Sequence, residues 1–510
     1  MICVSVGRAS HRHMLRERDF LADQGAKLVE LRLDYLQRLP EVATLLAKER
    51  PTESGGMTQR VAVIITCRRK CDGGGWNYTE EQRMTTLRAA IVGGAEFVDL
   101  EEDVAAKVPR YGATRRIVSY HNYLSTPSDK ELDAIHARLS AMDADIVKIA
   151  TMAREPADNL RIFKLLLRHG REKPTAAFCM GEIGMPSRIL CGRYGSVLTF
   201  SSGNAERLLA PGQLTWNEMA NVYHYDQILP STEICGVIGD PIAHSLSPVI
   251  HNTAFRELGM NKVYIPFRIL PADLNSFMRE VVPALGIRGI SVTIPHKEAI
   301  IEYLDRYDGA AQEIGAVNTV VVEGNARTGM NTDYRGVMEC LEGGCRRRWS
   351  TENPLSGRRI LVMGAGGASR AICYGLVRRG AKVTIANRTY RRAQELATKL
   401  GLDIVEWEQR NQGEYDMVVN ATSVGMHPNV NDTPYPADWL KSSMVVFDSV
   451  YTPENTMLIK TAQRKGCATI TGVDMFVRQA ALQFRCFTQH DAPLDVMRDA
   501  IRRATSAVRY

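Results

Sequence analysis

Lys148 interrupts an apolar run, Ile146-Val147-Lys148-Ile149-Ala150. An ammonium group in such a run is costly to bury unless its pKa falls or a partner meets it. A lysine of lowered pKa is the nucleophile that forms an imine with a carbonyl substrate. The alternative is a lysine on an edge strand, facing water. His121 closes another β-rich run. It is either a hydrogen-bonded core residue or a proton carrier. A lysine and a histidine on adjacent strands favour imine chemistry with a proton shuttle.

A second constellation lies downstream. A β-rich run at 359–363 leads straight into Gly364-Ala365-Gly366-Gly367-Ala368-Ser369, and a helical pattern follows at 370–379. Glycines there allow a tight turn and close approach to a pyrophosphate, which helix N–H groups then bind. Ser369 stands where the G-x-G-x-x-G pattern has its third glycine. The next run ends in Asn387-Arg388-Thr389. An acid there would favour a ribose hydroxyl and repel a 2′-phosphate, whereas Arg388 can pair with one. The expected cofactor is therefore NADP. Four polar clusters end elements nearby: 239–248 with Ser245 and Ser247, 291–297 with Thr293 and Lys297, 315–319, and Asn331-Thr332-Asp333. Alone, Ser245 and Ser247 read as a helix cap followed by proline, and a lone Lys or Asp as surface charge.

The elements that must position these groups have a clear rhythm. Eight β-rich runs, near 2–6, 28–33, 61–66, 97–100, 117–120, 146–149, 175–179 and 197–200, alternate with helical stretches such as 129–142 and 159–169. This predicts a (β/α)8 barrel, whose chemistry sits at the C-terminal ends of the strands. Glu30, Arg32, Arg68, Glu101, His121 and Lys148 fall at those ends. After a linker near 227–232, runs at 234–238, 263–267, 290–294 and 319–322 predict a small α/β domain. Strand, glycine turn, helix and strand from 359 onward predict a doubly wound nucleotide-binding domain.

Composition narrows the setting. A 510-residue chain that is 45% hydrophobic and 24% charged has enough apolar residues for several folded domains. Its longest apolar runs fall far below the ~20 residues of a membrane helix, and its start shows no signal-peptide pattern. The net charge of +7 is scattered, with no nucleic-acid stripe, and suits an anionic small molecule. Eleven cysteines, without a Cys-x-x-Cys, suggest a reducing cytoplasm and no zinc or other metal site.

Two resemblances follow from these motifs. Residues 234–510 resemble shikimate dehydrogenase through GDPIAHSLSPVIHN, SVTIPHKE, GAVNT, NTDYRG, GAGGASRA, NRT, NATSVGM and GVDMFVRQAALQF, in that family's order. The resemblance implies that Lys297 and Asp333 form the catalytic pair. It implies that Ser245, Ser247, Thr293, Asn318 and Gln479 hold the substrate. Gly364, Gly366, Gly367, Ala368, Asn387, Arg388 and Thr389 would bind NADP, with Thr422, Ser423, Tyr451 and Met475 along the nicotinamide. In ketone reduction, a lysine ammonium can polarise and protonate the oxygen while a carboxylate keeps it oriented and charged.

Residues 1–222 resemble type I 3-dehydroquinate dehydratase. The matching pieces are ELRLD at 30–34, TCR at 66–68 with DGG at 72–74, SYH at 119–121, VKIA at 147–150, SR at 187–188 and APGQ at 210–213. This implies Lys148 as the Schiff-base lysine and His121 as general acid/base, with Asp72 orienting it. Arg188 would grip the substrate carboxylate, and Glu30, Arg32, Arg68 and Gln213 would contact hydroxyls. The family usually has Glu at position 72 and Ser at position 209, so Asp72 gives a shorter orienter and Leu209 lacks one lid contact. Taken together, the expectation is a barrel over 1–225, a substrate domain over 232–335 completed by 478–510, and a Rossmann NADP domain over 336–477. The two would act consecutively in the shikimate pathway, from 3-dehydroquinate through 3-dehydroshikimate to shikimate. The partners would be small molecules, with neither nucleic acid nor membrane. The alternatives are quinate as the second substrate, or a non-catalytic sensor of these metabolites.

Overall fold

The computed structural model describes residues 1–47, 49–51, 57–243 and 245–505; His244 of the 239–248 motif lies outside them. Each of the eight runs of the first half forms a strand: β1 (Ile2–Val6), β2 (Leu28–Arg32), β3 (Ala62–Thr66), β4 (Phe97–Glu101), β5 (Arg115–Asn122), β6 (Ile146–Met152), β7 (Thr175–Met180) and β8 (Thr199–Ser202). All pair in parallel, in the order β8-β1-β2-β3-β4-β5-β6-β7. Val197 N donates to Thr175 O at 2.9 Å, joining the approach to β8 to β7. Strands buried on both faces need apolar residues on both, which is why they read as continuous runs.

The two-residue pleat sorts the barrel interior into layers. Cys3, Leu28, Ile64, Phe97, Ile117 and Ile146 form an apolar layer near the strand starts. Two residues on, the same faces carry Ser5, Glu30, Thr66, Asp99, Ser119 and Lys148, all buried. Two further on come Arg32, Arg68, Glu101 and His121. The barrel thus changes from oil to salt along its axis, toward the end where such barrels carry their chemistry. Outer helices such as Glu80–Val92 and Asp129–Ser140 begin with capping boxes from Thr79 and Ser128.

By contact the chain divides into two units. One is Met1–Glu233 with Pro241–Ala243 and Asn261–Gly286; the other is Ile234–Asp240, His244–Met260 and Ile287–Tyr510. The second contains a mixed sheet with β9 (Glu233–Gly239), β10 (Ile287–Val292), β11 (Thr319–Glu323) and β12 (Ala326–Met330). β9 and β10 are parallel; β11 runs antiparallel to both of its neighbours, β10 and β12. β12 falls outside the expected strands because its Arg327-Thr328-Gly329 has no apolar run to mark it, although it pairs on its other side with the short strand Arg306–Tyr307. Its signal is the two-residue Gly324-Asn325 turn joining it to β11.

The second unit also holds a parallel sheet of β13 (Arg359–Met363), β14 (Lys382–Ala386), β15 (Asp403–Ile404), β16 (Met417–Asn420), β17 (Val445–Asp448) and β18 (Ala468–Ile470). Its order, β15-β14-β13-β16-β17-β18, is the doubly wound dinucleotide-binding topology. The helix after β13 spans Gly367–Arg378, starting inside the glycine turn. Among the described residues no helix is long and apolar enough to cross a membrane.

Helices Thr332–Trp349 and Gly472–Thr488 pack closely, and a Cβ at Gly336 would lie 2.8 Å from Gln479 N. Gly336→Ala should therefore push these helices apart and cost about 1–3 kcal/mol. Thermal unfolding checks this. The transition of the second unit should fall while that of the barrel stays, and an unmoved transition would show that the helices separate freely.

Candidate active sites

In the barrel, Lys148 belongs to β6, between β5 and β7, so the edge-strand alternative fails. Its side chain is 5% exposed, and Nζ donates to Asp99 Oδ2 at 2.8 Å. Glu30 Oε1 lies 3.8 Å away, and the ring of Phe200 lies under Nζ at 3.9 Å. Asp99 also accepts from Arg68 Nη2 at 2.8 Å and Ser119 Oγ at 2.6 Å. Burial alone would raise the Asp99 carboxyl, but Arg68 and Lys148 outweigh it and hold it well below the usual range. Sequence reasoning missed Asp99. Its signal is a charged residue in an apolar strand, one pleat layer below Glu101.

The expected substrate contacts fall into two kinds. Arg32 forks onto Asp34 at 3.0 and 2.8 Å, and Arg68 also binds Glu101 at 3.0 Å. Glu30 accepts from Ser5 Oγ and Thr66 Oγ1 at 2.6 and 2.7 Å. These groups are already paired. Arg188 is not: it is 1% exposed, and among the described residues its Nη atoms reach only the carbonyls of Phe200 and Pro211, at 3.3 and 3.4 Å. Its Nε has no partner among the described residues, the guanidinium stacks on Phe178 at 4.6 Å, and burial pushes the guanidinium down to about 10. A buried cation without a carboxylate is expensive, and an anionic ligand would relieve that cost. Buried Gln213 spends its oxygen on Leu209 N at 3.0 Å, leaving its amide NH2.

His121 makes no side-chain hydrogen bond among the described residues; its ring stacks on Tyr123, with centroids 6.2 Å apart. Desolvation, with Arg68 and Lys148 adding repulsion, pushes it well below its ordinary value, so it is neutral. Asp72 departs from its expected place. Its carboxylate accepts from Arg69 Nε at 2.6 Å, and no hydrogen bond joins it to His121. Arg69 lies three residues before Asp72 in the same turn and captures the short side chain first. The turn meets the histidine only indirectly: Asp72 O accepts from Tyr123 Oη at 3.1 Å, and Tyr123 stacks on His121.

In the second unit, Lys297 Nζ donates to Asp333 Oδ2 at 2.6 Å, with the side chains 20% and 12% exposed. Lys297 follows the end of β10, and Val317 N fixes its carbonyl at 2.8 Å. Asp333 lies in the first turn of helix Thr332–Trp349, where the helix dipole favours an acid. Asn331 caps that helix and donates to Ala316 O at 2.8 Å. Asn318 Oδ1 accepts from Thr332 N at 2.8 Å. Gln483, not foreseen, holds this corner through Asn318 O at 3.0 Å and Ser291 Oγ at 2.9 Å. Ser245 Oγ accepts from Ser247 N at 3.3 Å, but the helix Ser247–Glu257 has Leu246 at its N-cap with no side-chain capping bond, so the serine-cap alternative fails. The side chains of Ser247, Thr293 and Gln479 have no hydrogen-bond partner among the described residues.

The glycine turn is built as a dinucleotide cradle. Gly364 has φ +114°, and a Cβ there would lie 2.6 Å from Ala421 O. Ser369, in the third glycine position, is buried with its Oγ 3.4 Å from the same carbonyl, so a serine fits. A cavity of about 440 Å³ is lined by Gly366, Gly367, Arg370, Arg392 and Lys399. Asn387 Nδ2 closes the β14 end on Thr389 O at 2.8 Å, and exposed Arg388 has no ion pair among the described residues. Arg392 and Lys399 were not foreseen, although Arg392 lies one helical turn after Arg388. These cations, with the glycine turn, fit a dinucleotide carrying an extra phosphate. Lys297 reaches this turn: its Cδ lies 3.8 Å from where a Gly367 Cβ would be, and Glu298 pairs with Arg370 at 2.6 Å. Ala368 lies in the first turn of the helix, and Ser423 is exposed beyond β16. Thr422 spends its hydroxyl on Asn420 Oδ1 at 2.7 Å. Tyr451 stacks on Phe476 at 4.6 Å, beside buried Met475.

Comparison with known proteins agrees with both halves. Residues 2–230 match the type I 3-dehydroquinase family. Residues 237–320 match the shikimate dehydrogenase substrate binding domain, 349–433 the shikimate/quinate 5-dehydrogenase family and 472–502 the shikimate 5′-dehydrogenase C-terminal domain. A shikimate dehydrogenase (NADP(+)) of Methanothermobacter thermautotrophicus is 40% identical over 54% of this chain and 98% of its own. A crystal structure of a shikimate dehydrogenase in complex with NADP+ is 35% identical, covers 54% of this chain and 97% of that one, and superposes with a TM-score of 0.51. The chloroplastic bifunctional 3-dehydroquinate dehydratase/shikimate dehydrogenase of Arabidopsis thaliana is 38% identical over 97% of this chain and 83% of its own. With both halves matched in order along nearly the whole length, the chain belongs to the family of bifunctional 3-dehydroquinate dehydratase/shikimate dehydrogenases.

Proposed function

We propose that the barrel dehydrates 3-dehydroquinate to 3-dehydroshikimate and that the second unit reduces this product to shikimate with NADPH. The observation that carries the reading is a buried lysine, a neutral histidine and a carboxylate-free arginine in one barrel, on the same chain as a lysine–aspartate pair against a dinucleotide turn. We assign residues 1–225 to the first activity. To the second we assign a substrate domain, 232–335 with 478–510, and an NADP domain, 336–477. The eleven cysteines are all unpaired, which supports a reducing compartment, and we place the chain in the cytoplasm.

In the barrel, Arg188 pairs with the substrate carboxylate, and Gln213 donates to a hydroxyl. Glu30, Arg32 and Arg68 line the polar wall with their remaining hydrogen-bonding capacity. Neutral His121 takes a proton from Lys148 Nζ, the free amine attacks the C3 ketone carbon, and the imidazolium returns that proton to the departing oxygen; loss of this water leaves a protonated imine and a neutral histidine. That imine acidifies the C2–H, and neutral His121 removes the proton. The imidazolium then protonates the departing C1 hydroxyl, so the second water leaves and the double bond forms. Hydrolysis of the imine consumes one water and frees Lys148, for a net loss of one. Asp72 contributes through its turn, which holds Tyr123 against His121.

In the second unit, Ser245, Ser247, Thr293, Asn318 and Gln479 hold the substrate carboxylate and hydroxyls. Asp333 keeps Lys297 charged and aimed, and the ammonium polarises the ketone oxygen and delivers its proton. NADPH, when bound, supplies the hydride. Gly364, Gly366, Gly367 and Ala368 receive its pyrophosphate, and Asn387, Arg388 and Thr389, with Arg392, receive its 2′-phosphate. Ser423, Tyr451, Met475 and the backbone of Thr422 line the nicotinamide.

One coupled assay tests the reading: 3-dehydroquinate plus NADPH, followed by NADPH absorbance. Wild type should consume NADPH, and absence of consumption would overturn the proposal. Lys148→Met should abolish the signal from 3-dehydroquinate but keep it from 3-dehydroshikimate. Lys297→Met should lose both signals while dehydration continues. Borohydride with 3-dehydroquinate should leave an adduct on Lys148, found by peptide mass mapping.

The lowered His121 predicts the acid limb of dehydratase kcat/KM. Because the folded protein disfavours the imidazolium, the neutral base persists as pH falls past the ordinary histidine value of ~6.5. The limb should lie below that value, and a limb at or above it would assign the base to another group. For Asp72, the carboxylate is spent on Arg69, so Asp72→Asn should keep dehydratase turnover within a few-fold. A loss of about 100-fold, the scale of a general-base contribution, would show that the carboxylate leaves Arg69 when substrate binds.

A further inference from the structure

Two strand ends in the nucleotide-binding sheet carry a polar pair that the reaction above does not use. Asn420 ends β16 and Asp448 ends β17, and the two residues face each other in register. Both are fully buried. Asn420 Nδ2 donates to Asp448 Oδ1 at 2.9 Å and to Val424 O at 3.0 Å. Its Oδ1 accepts from Thr422 N at 3.0 Å and Thr422 Oγ1 at 2.7 Å. Asp448 Oδ1 also accepts from Val450 N at 3.0 Å, and Oδ2 from Thr456 Oγ1 at 2.6 Å.

The network has one consistent polarity. A carboxylate only accepts, so Asn420 must turn its NH2 toward Asp448 and its oxygen toward Thr422. A flipped amide would face oxygen with oxygen at Asp448 and NH2 with N–H at Thr422. One acceptor atom, Asp448 Oδ1, thus sets the shape of two turns, 422–424 and 450–451. Stability does not explain a carboxylate here. Burial pushes Asp448 up to about 6. Raised above its unfolded value, the group favours folding in its neutral form, below the ordinary carboxylate range. That contribution is lost as pH rises through 6, so at neutral pH the ionised form weighs against the fold.

We propose that Asp448 is a positioning residue for the cofactor: through Asn420 it holds the Thr422 turn, and directly through Val450 N the segment before Tyr451, in the shape that receives the nicotinamide half of NADPH. This rests on the reading that those turns line the nicotinamide. The adenosine half, received by the glycine turn and Arg388, does not depend on the pair.

The test uses the full chain and two ligands. NADPH is titrated by fluorescence, and 2′-phospho-ADP-ribose, which lacks the nicotinamide, by calorimetry. Asp448→Ala removes the acceptor. It should weaken NADPH about tenfold or more, the loss of at least one buried hydrogen bond, and leave the fragment within about twofold. Asp448→Asn can keep an amide oxygen at the Oδ1 position and should restore NADPH binding to within about threefold. Equal NADPH affinity in wild type and Asp448→Ala would overturn the proposal. So would parallel loss of both ligands, which would mean that the pair holds the domain rather than the turns. Failure of Asp448→Asn to rescue would refute the acceptor role. Wild type binding neither ligand would instead overturn the NADP reading itself.

Discussion

The carboxylate of Asp99 is the point on which the barrel site depends. It sits below the barrel mouth and accepts from Lys148, Arg68 and Ser119 together. Buried charges are tolerable only when paired and hydrogen-bonded, and each partner of Asp99 is held in turn. Arg68 reaches Glu101, and Glu101 reaches buried Arg83 at 2.9 Å. The outcome is a fixed set of dipoles and charges with little freedom to reorganise, which is what makes a polar site effective. Among the described residues Arg188 has no carboxylate partner, which supports its proposed role as the seat of the substrate carboxylate.

In the proposed reactions the two lysines are asked for opposite things, and their surroundings differ accordingly. Lys148 must release a proton to attack carbon. It lies over an aromatic ring inside the barrel, with a carboxylate and a neutral histidine at hand. Lys297 must keep its proton until the ketone oxygen takes it. It is one-fifth exposed and paired with a single aspartate in the first turn of a helix. On the proposed roles the same side chain serves imine formation in one setting and protonation in the other, decided by what faces it.

The second unit builds its site from backbone as much as from side chains. Gly336 lets one helix bring Gln479 and Gln483 toward the β10–β12 corner, and Gly364 lets the turn after β13 pass beneath Ala421. Asn420 and Asp448 then fix the turns beyond β16 and β17. Each device sits at the C-terminal end of a strand or the start of a helix, where unpaired backbone groups are available to a ligand.

Much of this was legible in the chain. Buried parallel strands must be apolar on both faces, so the eight barrel strands and the four central nucleotide-binding strands stand out as runs. Glycines and charged residues at the run ends mark the sites, because only there do turn geometry and chemistry meet. Strand β12 was hidden because its polar, glycine-containing Arg327-Thr328-Gly329 is only partly buried and carries no apolar run. What the linear order could not decide was pairing across space. Asp99 reads as one acid among many until the pleat sets it opposite Lys148. Asp72 reads as an orienter until Arg69, in the same turn, captures it. Arg188 is distinguished from Arg32 and Arg68 only by the carboxylates that the folded barrel gives to them and withholds from it. Residue type fixes what a group can do; the energy of a charge depends on neighbours a few ångströms away, and those neighbours exist only once the strands have closed.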